Sequence, residues 1–196
     1  MTAAPPPEEL ADAATLKALA HPLRRRILAE LRRGPASATT LATALGHNTG
    51  GTSYHLRELA RHGFVEEDPA LGRGKERWWR VRERDPRTPP AGELSADTVK
   101  LLTTIRNAQL AEDVDAWERY QQERGKGREE HEWADAVEFS RGSLTLTRAE
   151  LTQFFDDYMA LLKRYRRAPR ETPQEARRIL LRFIAFPDVP PAPNAD

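Results

Sequence analysis

The feature that most constrains the fold is a series of helix-breaking residues that divides the first half of the chain into short pieces. His21-Pro22 ends a first apolar-periodic segment, because the residue before a proline is disfavoured in the helical region. Gly34-Pro35 ends a second segment and Gly46 a third. No long helix can run through these breaks, so the pattern predicts several short helices in succession.

Each piece carries its own helix signals. A first helix is predicted to start at Pro7, since proline suits the first helical turn. A second helix repeats apolar residues at core spacing, namely Leu23, Ile27, Leu28 and Leu31. A third helix is predicted from a Ser37 cap to Gly46. A fourth, which includes Gly50 and Gly51 or begins just after them, has one apolar face made of Tyr54, Leu56, Leu59 and Ala60.

Residues 64–81 have the pattern of a β-hairpin. They are apolar at both ends and carry Asp68-Pro69 and two nearby glycines between them, which is typical of a turn. Trp78 and Trp79 lie on the return strand, and at least one of them is expected in the core. Short helices followed by a hairpin are the element order of a winged helix-turn-helix domain, here predicted over residues 8–84.

The composition of the chain limits the classes of function that it can have. The chain has 196 residues and no cysteine, which excludes disulfides, zinc–thiolate sites and thiol chemistry. The net charge of +1 combines a basic first half with a mildly acidic second half, so only the first is expected to meet a polyanion. We find no membrane-spanning run and no secretory signal at the N-terminus, and therefore expect a cytoplasmic protein. The proline-rich residues 1–7 and 187–196 are predicted to be disordered tails, and residues 85–94 a linker.

The second half predicts an α+β region over residues 95–186 that serves dimerisation or sensing. A long helix is expected from the Ser95 cap to about Arg124, with a buried stripe of Val99, Leu102, Ile105, Leu110, Val114, Trp117 and Tyr120. Thr147 and Glu150 fit a capping box for a further helix, whose core face would be Leu151, Phe154, Phe155, Tyr158, Leu161, Leu162 and Tyr165. Residues 136–147 and 176–186 are predicted as strands. The fold class is thus mostly α with small β.

Four stretches in the first half resemble a known family. They are "LAHPLRRRIL", "TTLATALG", "TSYHLRELARHGFVEE" and "GRGKERWWRV", and in this order they are similar to the DNA-binding domain of ArsR-type bacterial regulators, most closely the longer actinobacterial type with a C-terminal extension. The resemblance covers about residues 10–84. It implies a homodimer on a pseudo-palindromic operator in double-stranded DNA, usually a repressor released by an effector. "SATTLATAL" and "SADTVKLLTTIRNAQL" lack the ligands of the family's metal sensors, so we expect no metal and no cofactor.

The resemblance also gives candidate DNA-binding residues. It places the turn at His47-Asn48, with Asn48 itself a candidate DNA-binding residue. The DNA-facing positions of the helix are Thr49, Gly50, Thr52, Ser53, Tyr54 and Arg57. Hydroxyls and a guanidinium near a helix N-terminus suit phosphate oxygens and base edges. Gly51 joins the set because residues without side chains let the backbone approach DNA closely, although the two glycines could merely extend the turn. In the wing, Arg73, Lys75 and Arg77 are expected to contact phosphates or the minor groove.

Several patterns leave alternatives open. The arginines at 24–26 and 32–33 would either reach phosphates or form a solvated face. His55 and His62 favour core or capping roles over a metal site. Asp156 and Asp157 point to different faces of a helix, and no catalytic motif is present, so we predict no enzyme. The aromatic residues of the second half indicate core, dimer interface or a pocket for a small-molecule effector. The alternative function is a winged module that binds proteins without specific DNA binding.

Overall fold

The structure, a computed structural model, describes most of the chain. The described residues are 7–9, 13–72, 76–82, 85–87, 91–125, 133, 137–167 and 172–189. The chain divides into two compact units, Met1–Val137 and Glu138–Asp196. Mostly helical elements with a small sheet confirm the predicted fold class.

The described part of the first unit consists of helices joined by very short strands. Its helices are α1 (Ala13–Ala20), α2 (Pro22–Leu31), α3 (Ala38–Leu45), α4 (Thr49–Arg61) and α5 (Ala96–Gly125). Its strands are β1 (Pro7–Glu9), β2 (Ala36–Ser37), β3 (Val65–Glu67), β4 (Trp78–Val81) and β5 (Asp85–Arg87), and a 3₁₀ turn covers Ala91–Glu93. Among these helices, even the 30-residue α5 is too polar to cross a bilayer.

The predicted helix boundaries are confirmed by their caps. The Nδ1 atom of His21 accepts a hydrogen bond from the Leu23 amide and so caps α2, with Pro22 at the first helical position. The Ser37 hydroxyl accepts from the Thr40 amide at the start of α3. Gly46, with φ of 66°, ends α3 in the left-handed conformation that glycine adopts without strain.

The predicted helix start at Pro7 is wrong. Residues Pro7–Glu9 form β1, which pairs in parallel with β5, and α1 begins only at Ala13. Proline is acceptable at the start of an edge strand as well as in a first helical turn, so the residue alone does not decide between the two. The pairing with a segment nearly eighty positions away decides it, and this contact has no local signal.

A three-stranded antiparallel sheet carries the hairpin, in the order β2–β4–β3. In β4, Trp79 pairs with Ala36 of β2 on one side and with Glu67 of β3 on the other. Trp79 is buried, which confirms that one of the two tryptophans belongs to the core. Arg80 lies opposite Glu66 and bonds to it across the sheet, with 2.7 Å between the guanidinium and the carboxylate.

The main core lies between α2, α3, α4 and the sheet. Its buried members are Ala18, Leu23, Ile27, Leu28, Leu31, Leu41, Leu45, Leu56, Leu59, Phe64, Val65 and Trp79. The four residues predicted for the core face of α2 are all among them. This core fixes α4 on α2 and α3 and leaves the opposite side of α4 free.

The arginines at 24–26 bind helix ends and do not form a simple solvated face. Arg24 donates to the carbonyls of Lys17 and Ala18 at the end of α1. Arg25 donates to the carbonyls of Leu19 and Ala20, and Arg26 reaches the Leu45 carbonyl at the end of α3. The last carbonyls of a helix have no partner within it, and the negative end of the helix dipole favours a cation there. These three side chains therefore join helices.

Arg25 has a second role, because its Nε atom donates to Glu112 of α5 at 2.7 Å. Its side chain is only 13% exposed, whereas that of Glu112 is 46% exposed. A single guanidinium thus connects α2, the end of α1 and the middle of α5.

We expect Arg25→Ala to lower the free energy of unfolding by about 1–3 kcal/mol, since it leaves helix-end carbonyls without partners. Arg33 is a suitable control because its side chain is 67% exposed and forms an ion pair with Glu30, three positions earlier in the chain. Arg33→Ala is expected to change stability by less than about 0.5 kcal/mol. Urea unfolding followed by circular dichroism measures both, and equal losses would contradict a joining role for Arg25.

Helix α5 is buried at only one end of its predicted stripe. Leu102 and Ile105 pack with Leu16 of α1 in a small separate cluster. The prediction is wrong for four other members, since Val99, Leu110, Val114 and Trp117 are 40–49% exposed. Three of these exposed residues, Leu110, Val114 and Trp117, lie in the second half of α5. The Ser95 cap is confirmed, because its hydroxyl accepts from the Thr98 amide.

The second unit contains one helix among its described residues, α6 (Arg148–Tyr165). The capping box is confirmed: Thr147 accepts from the Glu150 amide, and the Glu150 carboxylate accepts from the Thr147 amide. The Thr147 amide and the Thr147 hydroxyl both donate to the Glu150 carboxylate, and these two bonds lower the pKa of the Glu150 carboxyl. The predicted core face of α6 is wrong, because none of its residues is buried.

The predicted strands of the second unit are also wrong for the described residues. Residues 137–147 and 172–189 form no strand, and Ala136 lies outside the described residues. β-propensity becomes a strand only beside a hydrogen-bonding neighbour, and these segments have none among the described residues. Phe183 instead contacts the aromatic side of α6, with its ring centroid 4.8 Å from that of Tyr158.

Candidate nucleic-acid interface

The candidate interface is built on α3, a short turn and α4. Gly46, His47 and Asn48 make the turn, and α4 begins at Thr49. The Asn48 side chain caps α4, with its Oδ1 atom accepting from the Gly51 amide at 2.7 Å. Thr49 and Gly50 follow at the surface. The N-terminus of α4 is therefore exposed, and a helix N-terminus favours negatively charged groups such as phosphates.

One side of α4 presents polar and aromatic groups to solvent. Thr49, Gly50, Tyr54 and Arg57 are exposed, and Ser53 is half-buried beside them. Tyr54 is 52% exposed, and the Arg57 Nε atom donates to the Ser53 carbonyl at 3.2 Å. The structure thus brings five of the predicted residues to one accessible face, next to the cap residue Asn48.

The prediction that the Thr52 side chain faces DNA is wrong. Its side chain is fully buried, and its hydroxyl donates to the Asn48 carbonyl at 3.0 Å. A side chain in this position cannot reach DNA. Thr52 stabilises the first turn of α4 from the inside, where its polar character is satisfied by a backbone oxygen.

Gly50 and Gly51 both lie within α4, so the interpretation that they merely extend the turn before a helix starting at Thr52 is wrong. A Cβ atom on Gly51 would lie 3.2 Å from the Asn48 Oδ1 atom, closer than ordinary van der Waals contact, and one on Gly50 would lie 3.5 Å away. The structure therefore adds a local reason for Gly51: it leaves room for the side chain that caps the helix.

The wing is described only in part. Arg77 is exposed, and its guanidinium lies 3.0 Å from the Glu67 carboxylate across the hairpin. Arg73 and Lys75, predicted to contact DNA, lie outside the described residues. Arg77 is thus the one predicted wing contact for which the structure gives a position.

The exposed face extends beyond the residues singled out from the sequence. Arg61 is exposed one turn after Arg57 and pairs with Glu58 at 3.0 Å. Thr39 and Thr43 are exposed on α3. The helical spacing from Gly50 through Tyr54 and Arg57 to Arg61 was the signal that could have identified Arg61.

His55 of α4 and His62, which follows its last residue, have separate surroundings. His62 caps the C-terminus of α4, and its Nδ1 atom lies 3.2 Å from the Thr15 hydroxyl. The His55 ring lies 4.5 Å from that of His21 and 5.2 Å from that of Tyr54. Capping and packing roles are thus confirmed for these histidines. Within the described parts of the chain, no three potential ligands are grouped to hold a metal ion.

Three short helices, a recognition helix with a free outer face and a three-stranded hairpin sheet define a winged helix-turn-helix domain. Residues 19–68 match the model of a family described as "Helix-turn-helix domain". The HTH-type transcriptional regulator NmtR of Mycobacterium tuberculosis is 47% identical over 58 residues, which are 30% of this chain and 48% of that protein. This part of the chain therefore carries a helix-turn-helix domain and is similar to a transcriptional regulator.

The chain spans about half the length of this curated relative. Among solved structures, the homodimeric winged helix-turn-helix domain of Mb0332 from Mycobacterium bovis is 28% identical, with 52% of this chain and 77% of that chain covered and a TM-score of 0.34. The transcriptional repressor BigR from Xylella fastidiosa is 30% identical, with 36% of this chain and 69% of that chain covered and a TM-score of 0.32.

Proposed function

We propose that the protein is a homodimeric, sequence-specific DNA-binding transcriptional repressor. In this proposal α4 enters the major groove of a pseudo-palindromic operator, and the wing contacts the adjacent backbone or minor groove. We expect the protein to act in the cytoplasm, where the chromosome lies. We also expect it to have no catalytic role. A small-molecule effector is expected to act on the region after residue 95.

The observation that carries the proposal is the outer face of α4. Asn48, Thr49, Gly50, Tyr54 and Arg57 lie together there, on a helix whose inner face is fixed by Leu56 and Leu59 in the core. Hydroxyls, an amide and a guanidinium on a rigid element are the groups that read base edges and bind phosphates. The match to the helix-turn-helix family model, residues 19–68, covers this same segment of the chain.

Exposed apolar residues on α5 support the homodimer. Leu110, Val114 and Trp117 recur at helical spacing, and each is 42–49% exposed. An apolar stripe of this kind is unfavourable in water and is covered when a second α5 packs against it. A two-fold dimer would place two copies of α4 about 34 Å apart, one turn of DNA.

DNA binding measured by fluorescence anisotropy tests the proposal. The upstream region of the protein's own gene is compared with a scrambled duplex across a salt series. We expect a preference of about a thousandfold for the native duplex and an affinity that falls steeply with salt. Weak, equal binding to both duplexes would contradict sequence-specific recognition at that site.

The alternative is a winged module that binds a protein partner. The Arg77–Glu67 and Arg80–Glu66 ion pairs favour this alternative, because each neutralises a cation of the hairpin. Absence of DNA binding at low salt, together with a partner captured in a salt-insensitive complex, would support this alternative over the operator model.

Arg77→Ala is expected to weaken operator binding about 3–10-fold and to reduce the salt slope by about one, because one phosphate contact is lost. Anisotropy titrations at four salt concentrations measure both quantities. Lys163→Ala is the control, since Lys163 is an exposed cation near the end of α6. An unchanged salt slope in Arg77→Ala would exclude Arg77 from the contact.

A further inference from the structure

His55 lies between the outer face of α4 and the start of α2. Its ring contacts Tyr54 edge-on, with centroids 5.2 Å apart and planes at 71°, and faces His21 at 4.5 Å. Tyr54 is exposed on the proposed DNA-binding face. Three adjacent rings therefore connect a DNA-facing side chain to the N-cap of another helix.

Both histidines are held in arrangements that suit neutral rings. The His55 Nδ1 atom is buried and has no hydrogen-bond partner among the described residues. A proton there would create a buried charged donor without an acceptor, which is costly. The His21 Nδ1 atom accepts from the Leu23 amide, so the neutral ring carries its proton on Nε2. A second proton on Nδ1 would remove the cap of α2.

The charges around the pair act in the same direction, with one exception. Burial lowers the pKa of His55, as do, in decreasing order, the nearby His21, Arg24 and His47, whereas Glu58 raises it. Burial also lowers the pKa of His21, and Arg24 and Arg25 lower it further, while its own backbone hydrogen bond raises it. The groups facing the pair thus come from α2, from the turn before α4 and from α4 itself.

We propose that His55 is a positioning residue that holds Tyr54 in its DNA-binding orientation, and that protonation of the His21–His55 pair releases it. Two protonated rings 4.5 Å apart would repel, and each would lose the environment described above. The His55 ring would then move away from His21, and its contact with Tyr54 would be lost. This inference rests on the proposed DNA-binding function.

The sign of the pH dependence follows from the lowered pKa values. The ordered arrangement binds fewer protons than the released one, so it is fully stable above about pH 6.5 and is lost as the pH falls through the lowered values. The expected effect is opposite to that of a histidine that touches phosphate directly, since protonating such a histidine strengthens DNA binding. The direction of the change therefore separates the two roles.

The test compares DNA affinity at pH 7.5 and pH 5.5 for the full chain and its variants. We expect wild-type affinity for the operator duplex to fall about tenfold, since each excluded proton weakens binding by up to tenfold per pH unit. His55→Phe keeps a ring against Tyr54 but cannot titrate, so its affinity at pH 7.5 should be close to wild type and should change little with pH. His55→Ala should bind weakly at both values.

His47→Gln is the control for the pH dependence of DNA affinity, because His47 is exposed in the turn and its ring is not part of the His21–His55 contact. The loss of affinity on acidification should persist in this variant. Circular dichroism at both pH values verifies that each variant is folded. Wild-type affinity that stays constant or rises on acidification, or a loss that persists in His55→Phe, would overturn the inference.

A second readout needs no DNA. In a ¹³C-tyrosine and ¹³C-histidine NMR titration, the Tyr54 ring resonances should follow the titration of His55 in wild type and stay constant in His55→Phe. Tyr54 resonances that stay constant while His55 titrates would overturn the inference. Absence of DNA binding at pH 7.5 would instead overturn the proposed function, and the NMR titration then decides the inference alone.

Discussion

Replacing Gly51 by leucine is expected to weaken operator binding about hundredfold while leaving the stability of the domain almost unchanged. Leucine is favoured over glycine in a helix by about 1 kcal/mol, whereas loss of the Asn48 cap costs about 1 kcal/mol, so the two effects on folding nearly cancel. The effects of the substitution on DNA binding do not cancel. A bulky side chain in the first turn of α4 holds the backbone amides away from the phosphate and displaces Asn48, whose Oδ1 atom would lie 3.2 Å from the new Cβ atom.

Anisotropy titrations and thermal unfolding, run on the same preparations, measure the two effects. Asn48→Ala isolates the loss of the cap without added bulk and should weaken DNA binding less than Gly51→Leu. Gly142→Leu is the matched control, because a Cβ atom on Gly142 meets nothing within 4 Å in the second unit. Operator affinity within threefold of wild type in Gly51→Leu would rule out close approach of the backbone at this position.

Val114→Asp is expected to convert the protein from a dimer to a monomer and to lower operator affinity by more than about a hundredfold. Val114 lies in the middle of the exposed stripe of α5, 49% exposed, with Leu110 and Trp117 on either side. A carboxylate there would be buried without a partner if two copies of α5 packed together. The two recognition helices then act separately, and the gain from binding both half-sites at once is lost.

Sedimentation velocity gives the oligomeric state, and anisotropy gives the affinity for a two-site and a one-site duplex. Gln122→Asp introduces the same charge at an exposed position on another side of α5 and should leave the dimer intact. The monomeric variant should bind both duplexes equally weakly. A dimer that survives Val114→Asp would show that α5 is not the interface.

Features with a local chemical signal could be predicted from the sequence. His21-Pro22, Ser37, Gly46 and Ser95 bound their helices as expected, because a cap or a break depends on a few neighbouring residues. The order of elements and the resemblance of the motifs then located the recognition helix. Most of its predicted face is exposed as required.

Burial that depends on distant partners could not be predicted. Thr52 looked like a surface residue by type, yet the packing of α4 against α2 and α3 buries it. Leu110 and Val114 looked like core residues, and the sequence cannot say whether the same chain or another molecule covers them. The arginines at 24–26 left two alternatives open, and the structure shows contacts with helix-end carbonyls on α1 and α3.

The bond between Arg25 and Glu112 has a consequence for the operator. Arg25 also holds the end of α1, so this one side chain couples α5 to the helices that support α4. If two copies pair through α5, the separation and the relative angle of the two recognition helices are set by the protein and adjust little to the DNA. A protein of this kind is selective for the spacing between its two half-sites as well as for their base sequence. Five base pairs inserted between the half-sites turn one of them to the opposite side of the duplex, and both can no longer be bound together.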